Sequence, residues 1–283
     1  MKNVGFIGAG NMGGAILRGA LGAGVLDKKT TYVCGRDKEK AERTAAELGI
    51  NACGSAAEIA VNCRYIVLGV KPKDIENIAE QVRDAVSPAQ LKEKVVISMA
   101  AGVKIAAIEA VLGSDAKIVR IMPNTPAKVC AGMTSVSRNG NVTDGEMNEV
   151  MSLFSSIGMA ADVPEDMIHT VIGVSGSSPA YTYLYIDALI EEAVAEGMDR
   201  AQARIFAAQA VLGAAKMVLE TEEAPQQLCE NVCSPGGTTI EAVKMLKTSD
   251  FEGIIRKSFR ACTDKSKIMS GENSKIDTFL GKE

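Results

Sequence analysis

The chain has 283 residues, of which 47% are hydrophobic and 23% are charged, and its formal net charge is −4. This length is sufficient for two domains with a full hydrophobic core. Because no excess of lysine and arginine exists to neutralise phosphates, we expect no nucleic-acid partner. No apolar run reaches the roughly 18 residues of a membrane span, and the glycine-rich N-terminus is unlike a secretion signal. We therefore expect neither a membrane-spanning segment nor a secretion signal.

The seven cysteines are scattered, and no two of them have the Cys-x-x-Cys spacing. Without an expected export signal, this pattern is typical of free thiols in a reducing cytoplasm. His169 is the only histidine, which argues against a histidine-based metal site or a Ser-His-Asp triad. The sequence thus predicts a cytoplasmic protein without a bound metal.

The first element is an apolar run, Val4–Ile7, which breaks at glycine and continues as a helical pattern through Leu21. Gly8, Gly10 and Gly13 have the spacing G-x-G-x-x-G. In a dinucleotide-binding turn the first glycine permits the tight turn, the second lets the backbone approach a pyrophosphate, and the third lets helix and strand pack closely. The helix N-terminus then offers N–H groups to the phosphates. An ordinary strand-to-helix turn is the alternative.

A second strand is predicted at Thr31–Cys34, and Gly35 and Arg36 follow it directly. In NAD-specific folds an acidic residue at the end of this strand binds the ribose 2′-hydroxyl, whereas a cation suits a 2′-phosphate. We therefore expect NADP(H) to be the preferred cofactor, with NAD(H) also accepted. The alternative is that Arg36 is a solvated loop residue beside Asp37, which caps the helix predicted over Lys38–Leu48.

The next part of the chain alternates strands with helices. Continuous apolar runs begin at Tyr65, Val95 and Ile118, and each ends in a loop, with helical patterns between them at 75–86 and 105–112. A strand at 131–137, a helix at 146–155 and a short strand at 159–163 complete the pattern. This alternation predicts an α/β fold, a Rossmann-type doubly wound parallel sheet that binds ligands at the carboxyl ends of its strands. The loop residues there are Lys71, Met99, Ala101 and Asn124.

From Pro164 onward only helical patterns follow, at 165–174, 180–196, 200–220, 226–232, 238–247 and 251–270. We therefore predict a dinucleotide-binding domain over residues 1–162 and an all-α C-terminal dimerisation domain over residues 163–283. The helix that begins at Ala180 is apolar around much of its circumference, and the helix Arg200–Glu220 is rich in small residues. Helices with so little polar surface need a partner to cover them, so we expect an obligate oligomer.

A second glycine-rich run, Ser234-Pro-Gly-Gly-Thr-Thr, leads into the helix predicted at 238–247. Such a run exposes backbone N–H groups at the positive end of the helix dipole, which suits a carboxylate. The alternative is a plain helix cap with a flexible loop before it. A similar run at 175–181 opens a long helix, where a tight turn between helices is the alternative.

Taken together, these motifs resemble pyrroline-5-carboxylate reductase, and their order and spacing match along essentially the whole chain. The Ser-Pro-Gly-Gly-Thr block is the most specific of them, whereas the glycine turn is shared by all Rossmann enzymes. The motifs that carry the resemblance are Gly8-x-Gly10-x-Met12, Val70-Lys-Pro, Met122-Pro-Asn-Thr-Pro, Ser175-Gly-Ser-Ser-Pro-Ala-Tyr and Ser234-Pro-Gly-Gly-Thr-Thr-Ile.

The resemblance implies reduction of 1-pyrroline-5-carboxylate to L-proline with NAD(P)H, the last step of proline biosynthesis. It also implies a homodimer formed through the helical domains, which build the substrate site from two subunits, and dimers that often assemble into decamers. The implied substrate-binding residues are Glu165, Gly237, Thr238 and Thr239. The implied cofactor-binding residues are Gly8, Ala9, Gly10, Asn11, Met12, Arg36, Val70, Lys71, Pro72, Met99, Ala101 and Asn231.

This chemistry needs little catalytic machinery, because a cyclic imine protonated on nitrogen is already a hydride acceptor. The nicotinamide supplies the hydride, and the protein supplies position and electrostatics. Our hypothesis is that Thr239 is the catalytic residue, which hydrogen-bonds the ring nitrogen, while N–H groups near Gly237 and Thr238 hold the carboxylate. Glu165 is open to a second interpretation, since an acid in the first turn of a helix favours the dipole anyway.

Two other functions share parts of this pattern. A β-hydroxyacid dehydrogenase also has a Rossmann domain followed by helices, but it needs a catalytic lysine early in the helical domain. This chain has no lysine between Lys128 and Lys216. A non-catalytic NADP-sensing module would keep the glycine turn, but it has no use for the run Ser234–Thr239.

Overall fold

The computed structural model describes Met1 and residues 3–271. Lys2 and residues 272–283, the end of the predicted C-terminal domain, lie outside the described residues. Eight strands form one sheet: β1 Val4–Ile7, β2 Thr31–Cys34, β3 Asn51–Ala52, β4 Tyr65–Leu68, β5 Val95–Ser98, β6 Lys117–Met122, β7 Gly132–Arg138 and β8 Gly158–Asp162. The first helices are α1 Asn11–Gly22, α2 Lys38–Leu48, α3 Ala56–Asn62, α4 Ile75–Asp84, α5 Pro88–Lys92, α6 Ile105–Leu112 and α7 Asp144–Ser155. The later ones are α8 Ile168–Val171, α9 Ser178–Ala195, α10 Arg200–Glu220, α11 Pro225–Val232, α12 Thr238–Thr248 and α13 Phe251–Met269.

The strand order is β3-β2-β1-β4-β5-β6-β7-β8, and the first six strands are parallel. The chain therefore winds outward from β1 in both directions, which confirms the predicted doubly wound sheet. One detail departs from a uniformly parallel sheet: β7 runs antiparallel to β6, and β8 is parallel to β7. Residues 123–131 join β6 to β7, and this connection is too short for the crossover that a parallel pair requires.

The central strands β1, β4 and β5 are buried along their whole length, because apolar side chains pack on both faces of the sheet. On one face Phe6 and Val67 pack in a cluster with residues of α1 and α7. On the other face Ile66 and Leu68 pack in a cluster with residues of α3, α4 and α6. Burial on both faces explains why the sequence of these strands is continuously apolar rather than alternating.

The described residues form two compact units, one of Met1–Ser177 with residues 262–271, the other of Ser178–Ala261. This division differs from the boundary at residue 163 expected from the sequence, because the segment after β8 is bonded to the sheet. Glu165 accepts a hydrogen bond from Arg120 of β6, and the Ser175 carbonyl accepts one from Asn124. The division of function at residue 163, between a dinucleotide-binding domain and a dimerisation domain, stays a prediction.

The second unit contains α9 to α12 and the start of α13, and its helices begin and end close to the predicted residues. Its buried apolar cluster is small, with Ile190 of α9 packed against Ala203 and Ala207 of α10. Many large apolar side chains of this unit are exposed in the single chain, among them Tyr183, Leu184, Ile205, Phe206, Leu212 and Leu219.

Candidate functional site

A cavity of about 910 Å³ lies at the carboxyl ends of β1, β2, β4 and β5. This is the edge of a doubly wound sheet at which ligands bind, beside the point where the strand order reverses. The loops that follow these four strands line it, as do residues 54–56 after β3, and the four loops bring together most of the residues predicted for the cofactor. Those residues are Gly8, Ala9, Gly10, Asn11, Met12, Arg36, Val70, Lys71, Pro72, Met99 and Ala101.

Of the three glycines in the G-x-G-x-x-G run, the packing of the protein itself requires Gly8 and Gly13 but not Gly10. Gly8 has a φ of +93°, and a Cβ there would lie 2.7 Å from the Gly69 carbonyl oxygen. A Cβ on Gly13 would lie 2.5 Å from the Gly8 carbonyl oxygen, so this position needs glycine for the close packing of α1 on the turn. A Cβ on Gly10 would have nothing within 4 Å, so it would project into open space. No protein atom fills the space beside Gly10, so a ligand can approach the backbone there.

The N-terminus of α1 is free to bind an anion. Gly10 is its N-cap, no side chain caps it, and no acidic residue lies in its first turn. Its first N–H groups are therefore unpaired within the helix and at the positive end of its dipole. These properties fit the pyrophosphate of a dinucleotide.

Cations surround the part of the cavity beyond β2. Arg36, Lys38 and Lys40 all line the cavity and are exposed. Among the described residues, none of these three side chains has an ion-pair partner. Asp37 also lines the cavity, and as the N-cap of α2 its Oδ1 accepts a hydrogen bond from the Lys40 N–H at 2.9 Å. The part of this turn that lines the cavity therefore carries three cations against one carboxylate, an excess of positive charge that suits a 2′-phosphate.

Of these three cations only Arg36 was predicted from the sequence, and Lys38 and Lys40 were not. Their position in the sequence could have indicated them, because Lys38 and Lys40 are the first and third residues of α2 and follow the same strand end as Arg36. Gly69, which closes the turn opposite Gly8, was not predicted either. A Cβ on Gly69 would lie 2.2 Å from the Gly8 carbonyl oxygen.

The one thiol that lines the cavity is inert. Cys34 is the last residue of β2 and is buried. Burial, together with the nearby Cys53 and Glu58, raises the pKa of the Cys34 thiol to about 12. The thiol therefore stays protonated at neutral pH, and it adds no charge or nucleophile to the cavity.

Glu165 lies in a 3₁₀ turn, Glu165–Met167, directly after β8. Its Oε1 accepts two hydrogen bonds, one from Arg120 Nη1 at 2.9 Å and one from the Ile105 N–H at 2.8 Å. Its Oε2 accepts none from the described residues, and 28% of the side chain is exposed. Glu165 is thus held by one oxygen while the other remains available.

The remaining predicted residues belong to the second unit, where Asn231 is the next-to-last residue of α11 and Gly237 is the N-cap of α12. The Gly237 N–H donates to the Ser234 carbonyl at 3.0 Å, so the unpaired donors of this helix begin at Thr238 rather than at Gly237. No side chain caps α12. Thr239 is half-buried, and Asn231 donates to Glu223 at 2.7 Å.

Two features of other protein classes are missing from the part of the chain that the structure describes. Within residues 3–271, no group of three or more His, Cys, Asp and Glu side chains could hold a metal ion. In the same range, no helix has both the length and the apolar character needed to cross a membrane.

Two family models match the chain. One, described as pyrroline-5-carboxylate reductase dimerisation, matches residues 165–269. The other, described as NADP oxidoreductase coenzyme F420-dependent, matches residues 3–102. The two matched ranges contain, respectively, the helical segment and the glycine turn with the loops that line the cavity.

Relatives match the chain over almost its full length. The pyrroline-5-carboxylate reductase of Escherichia coli (strain K12) is 45% identical over 95% of this chain and 98% of its own. The structure of a pyrroline-5-carboxylate reductase from Coxiella burnetii is similar with a TM-score of 0.88 and 36% identity, over 95% of this chain and 98% of that one. The Plasmodium falciparum pyrroline carboxylate reductase, solved with NADP bound, has a TM-score of 0.84 and 31% identity at the same coverage. With its fold, its glycine turn and these likenesses, the chain belongs to the pyrroline-5-carboxylate reductase family.

Proposed function

We infer that this chain reduces 1-pyrroline-5-carboxylate to L-proline with a hydride from NAD(P)H, and so performs the final step of proline biosynthesis. The observation that carries the inference is the convergence of four loops on one cavity, whose glycine turn fits a pyrophosphate and whose cations fit a 2′-phosphate. NADPH is the preferred cofactor, because Arg36, Lys38 and Lys40 give the turn after β2 an excess of positive charge where it lines the cavity.

The cofactor is held by the residues that line the cavity, with Asn231 of α11 as a further ligand. The N–H groups at the start of α1 bind the pyrophosphate, because they are uncapped and Gly10 leaves room for it. Val70, Lys71 and Pro72 line the cavity after β4, and Met99 and Ala101 line it after β5. When bound, the cofactor supplies the hydride that reduces the imine carbon.

The substrate is held at the N-terminus of α12. Its carboxylate accepts hydrogen bonds from the backbone N–H groups of Thr238 and Thr239, which have no partner within the helix. Gly237 contributes a small residue at the N-cap, where a Cβ would lie 3.1 Å from the Ser234 carbonyl oxygen. The Thr239 hydroxyl accepts a hydrogen bond from the protonated ring nitrogen and so orients the imine. The free Oε2 of Glu165 is the acidic group that we assign to the same site.

The active enzyme is a homodimer formed through the helical segment, and dimers assemble further into a decamer. The exposed apolar side chains of α9 and α10 support this proposal, as does the match of residues 165–269 to a dimerisation model. We place the enzyme in the cytoplasm, where thiols such as the buried Cys34 and Cys63 stay reduced.

One assay tests the proposal. Oxidation of NADPH and of NADH is followed with pyrroline-5-carboxylate, beside a light-scattering measurement of mass. We expect turnover with both cofactors, a higher kcat/KM with NADPH, and a mass of at least two chains. Proline-dependent reduction of NADP at high pH would exclude a mere NADP sensor. Crystals soaked with NADP and proline in which proline lies far from the nicotinamide would contradict the assignment of α12.

A further inference from the structure

The buried arginine of β6 is not among the residues that line the cofactor cavity, although it holds Glu165. Arg120 is only 1% exposed, although it lies within a strand whose neighbours Val119 and Ile121 belong to the apolar core. Its Nη1 donates to Glu165 Oε1, while Nε and Nη2 are buried without a partner among the described residues. Burial of an ionised guanidinium is costly, so its retention in the core needs an explanation.

The carboxylate that Arg120 holds also caps a helix. The Ile105 N–H at the start of α6 donates to Glu165 Oε1 at 2.8 Å, across 60 positions of sequence. The helix has no cap of its own, since its N-cap residue Lys104 makes no capping hydrogen bond through its side chain, and its first turn contains no acid. Glu165 therefore supplies both the acceptor and the negative charge that the N-terminus of α6 lacks locally.

The start of α6 is the end of a loop that lines the cofactor cavity. This loop runs from Met99 to Lys104 after β5, and Met99, Ala100 and Ala101 line the cavity. Within the loop, the Ala100 N–H donates to Ser98 Oγ at 3.3 Å, and the Val103 N–H donates to the Ala100 carbonyl at 3.4 Å. Both bonds are longer than the 2.8 Å bond from the Ile105 N–H to Glu165, which holds the C-terminal end of the loop.

We propose that Arg120 is a positioning residue for the cofactor. It fixes the Glu165 carboxylate, which fixes the start of α6, and this in turn fixes the backbone of Met99 and Ala101 against the nucleotide. The inference rests on the proposed function only in taking the cavity as the NADPH site. It assigns Arg120 an effect on cofactor affinity that acts through two other elements, without contact between Arg120 and the nucleotide.

The test compares three variants with the unaltered enzyme. Arg120→Met removes the charge, and Arg120→Lys keeps it but loses the forked guanidinium geometry. Arg64→Met is the control, because Arg64 also bonds a buried carboxylate, Glu146 Oε1 at 2.9 Å, but it lies just before the amino end of β4, opposite the cavity. The measurements are the Kd for NADPH from its fluorescence, the KM for pyrroline-5-carboxylate at saturating NADPH, and hydrogen exchange of the peptide that covers residues 99–107.

In Arg120→Met we expect the Kd for NADPH to rise about tenfold, because binding must then order a loop that is fixed in advance in the unaltered enzyme. Amides of 99–107 should exchange faster in the same variant, and the KM for pyrroline-5-carboxylate should change less than the Kd. Arg120→Lys should give an intermediate Kd, and it serves as the test if Arg120→Met does not fold. Arg64→Met should leave both the Kd and the exchange of 99–107 unchanged.

Three results would overturn the inference. In the first, the KM for pyrroline-5-carboxylate rises while the Kd for NADPH stays constant, so that Arg120 serves the substrate side of Glu165. In the second, Arg120→Lys and Arg64→Met lower the melting temperature alike with no effect on the Kd, so that Arg120 is merely structural. In the third, the exchange of 99–107 is unaltered. Failure of every variant and of the unaltered enzyme to bind NADPH would instead contradict the proposed function.

Discussion

The two compact units solve the problem of burying apolar surface in different ways. In the first unit the strands around β1 are buried on both faces, and the helices that flank them supply two clusters of apolar side chains. In the second unit the apolar cluster has only Ile190, Ala203 and Ala207 at its buried centre. Large side chains such as Leu184, at 73% exposed, are left outside it.

This difference shows that composition alone does not say where a core lies. In the first unit the apolar residues of the sheet are covered by helices of the same unit. Its candidate site is a cavity at the carboxyl edge of that sheet. The helices of the second unit carry a comparable density of apolar residues without intramolecular cover. Such a surface favours association with another subunit, in agreement with the match of residues 165–269 to a dimerisation model.

The largest effect should come from placing a charge on that surface. Phe206 on α10 is 63% exposed in the single chain, and Val61 on α3 of the first unit is 62% exposed. We expect Phe206→Glu to convert the enzyme to monomers and to abolish turnover, because a buried charge without a partner prevents association. Light scattering and the NADPH assay measure both effects. The control Val61→Glu should stay assembled and active, and a Phe206→Glu variant of unaltered mass would refute the interface.

The second prediction separates the roles of the two units in catalysis. Thr239→Ala should lower kcat about 100-fold, because it removes the hydroxyl that orients the protonated ring nitrogen. The Kd for NADPH should stay within twofold of the unaltered value, because Thr239 is not among the residues assigned to the cofactor. Thr239→Ser keeps the hydroxyl and should retain most of the activity. Loss of NADPH binding in Thr239→Ala would mean that the residue serves the cofactor instead.

Much of the first unit was predictable because its local signals agree with its packing. β1, β2 and α2 begin and end as predicted, since apolar runs, glycine and the Asp37 cap all mark the same boundaries. The helix α3 and the two-residue strand β3 were not predicted. β3 is a short edge strand, and α3 is too short for its apolar positions to establish a period.

The site was predictable where it depends on local sequence and unpredictable where it depends on distant partners. The glycine turn and the loops after β4 and β5 are legible because each follows an apolar strand. The bonds from Arg120 and Ile105 to Glu165 join residues 45 and 60 positions apart, and no local pattern indicates them. One signal was present, namely a charged residue inside the apolar run of β6, and a buried charge implies a partner.

The glycine turn offers a sharper test of which residues serve the fold and which serve the ligand. Gly10→Ala adds a methyl group where the protein has nothing within 4 Å, whereas Gly13→Ala adds one that lies 2.5 Å from the Gly8 carbonyl oxygen. We expect Gly10→Ala to raise the Kd for NADPH at least about tenfold with an unchanged melting temperature. Gly13→Ala should lower the melting temperature as well.

Gly22→Ala is the control for this pair, because Gly22 is also in α1, has open space around it and does not line the cavity. We expect it to bind NADPH normally and to melt at an equal or slightly higher temperature, since alanine favours a helix over glycine. Equal affinities in Gly10→Ala and Gly22→Ala would mean that the nucleotide does not lie against Gly10.

The smallest effect should be the loss of cofactor preference in Arg36→Gln. Arg36 is exposed and lacks an ion-pair partner among the described residues, so its charge is available to a 2′-phosphate but screened by water. We expect the Kd for NADPH to rise about tenfold and the Kd for NADH to stay constant, because only the first has the phosphate. Titration of both cofactors at two salt concentrations measures this, and the NADPH difference should shrink at high salt.

Arg43→Gln makes the same charge change on α2 at an exposed residue that does not line the cavity, and it should leave both affinities unaltered. If Arg36→Gln has no effect while Lys38→Gln or Lys40→Gln weakens NADPH binding, the phosphate lies over the first turn of α2 rather than at the strand end. If all three variants bind both cofactors as the unaltered enzyme does, the cations are a solvated surface. A preference for NADPH would then need a physical cause other than the charge of these three side chains.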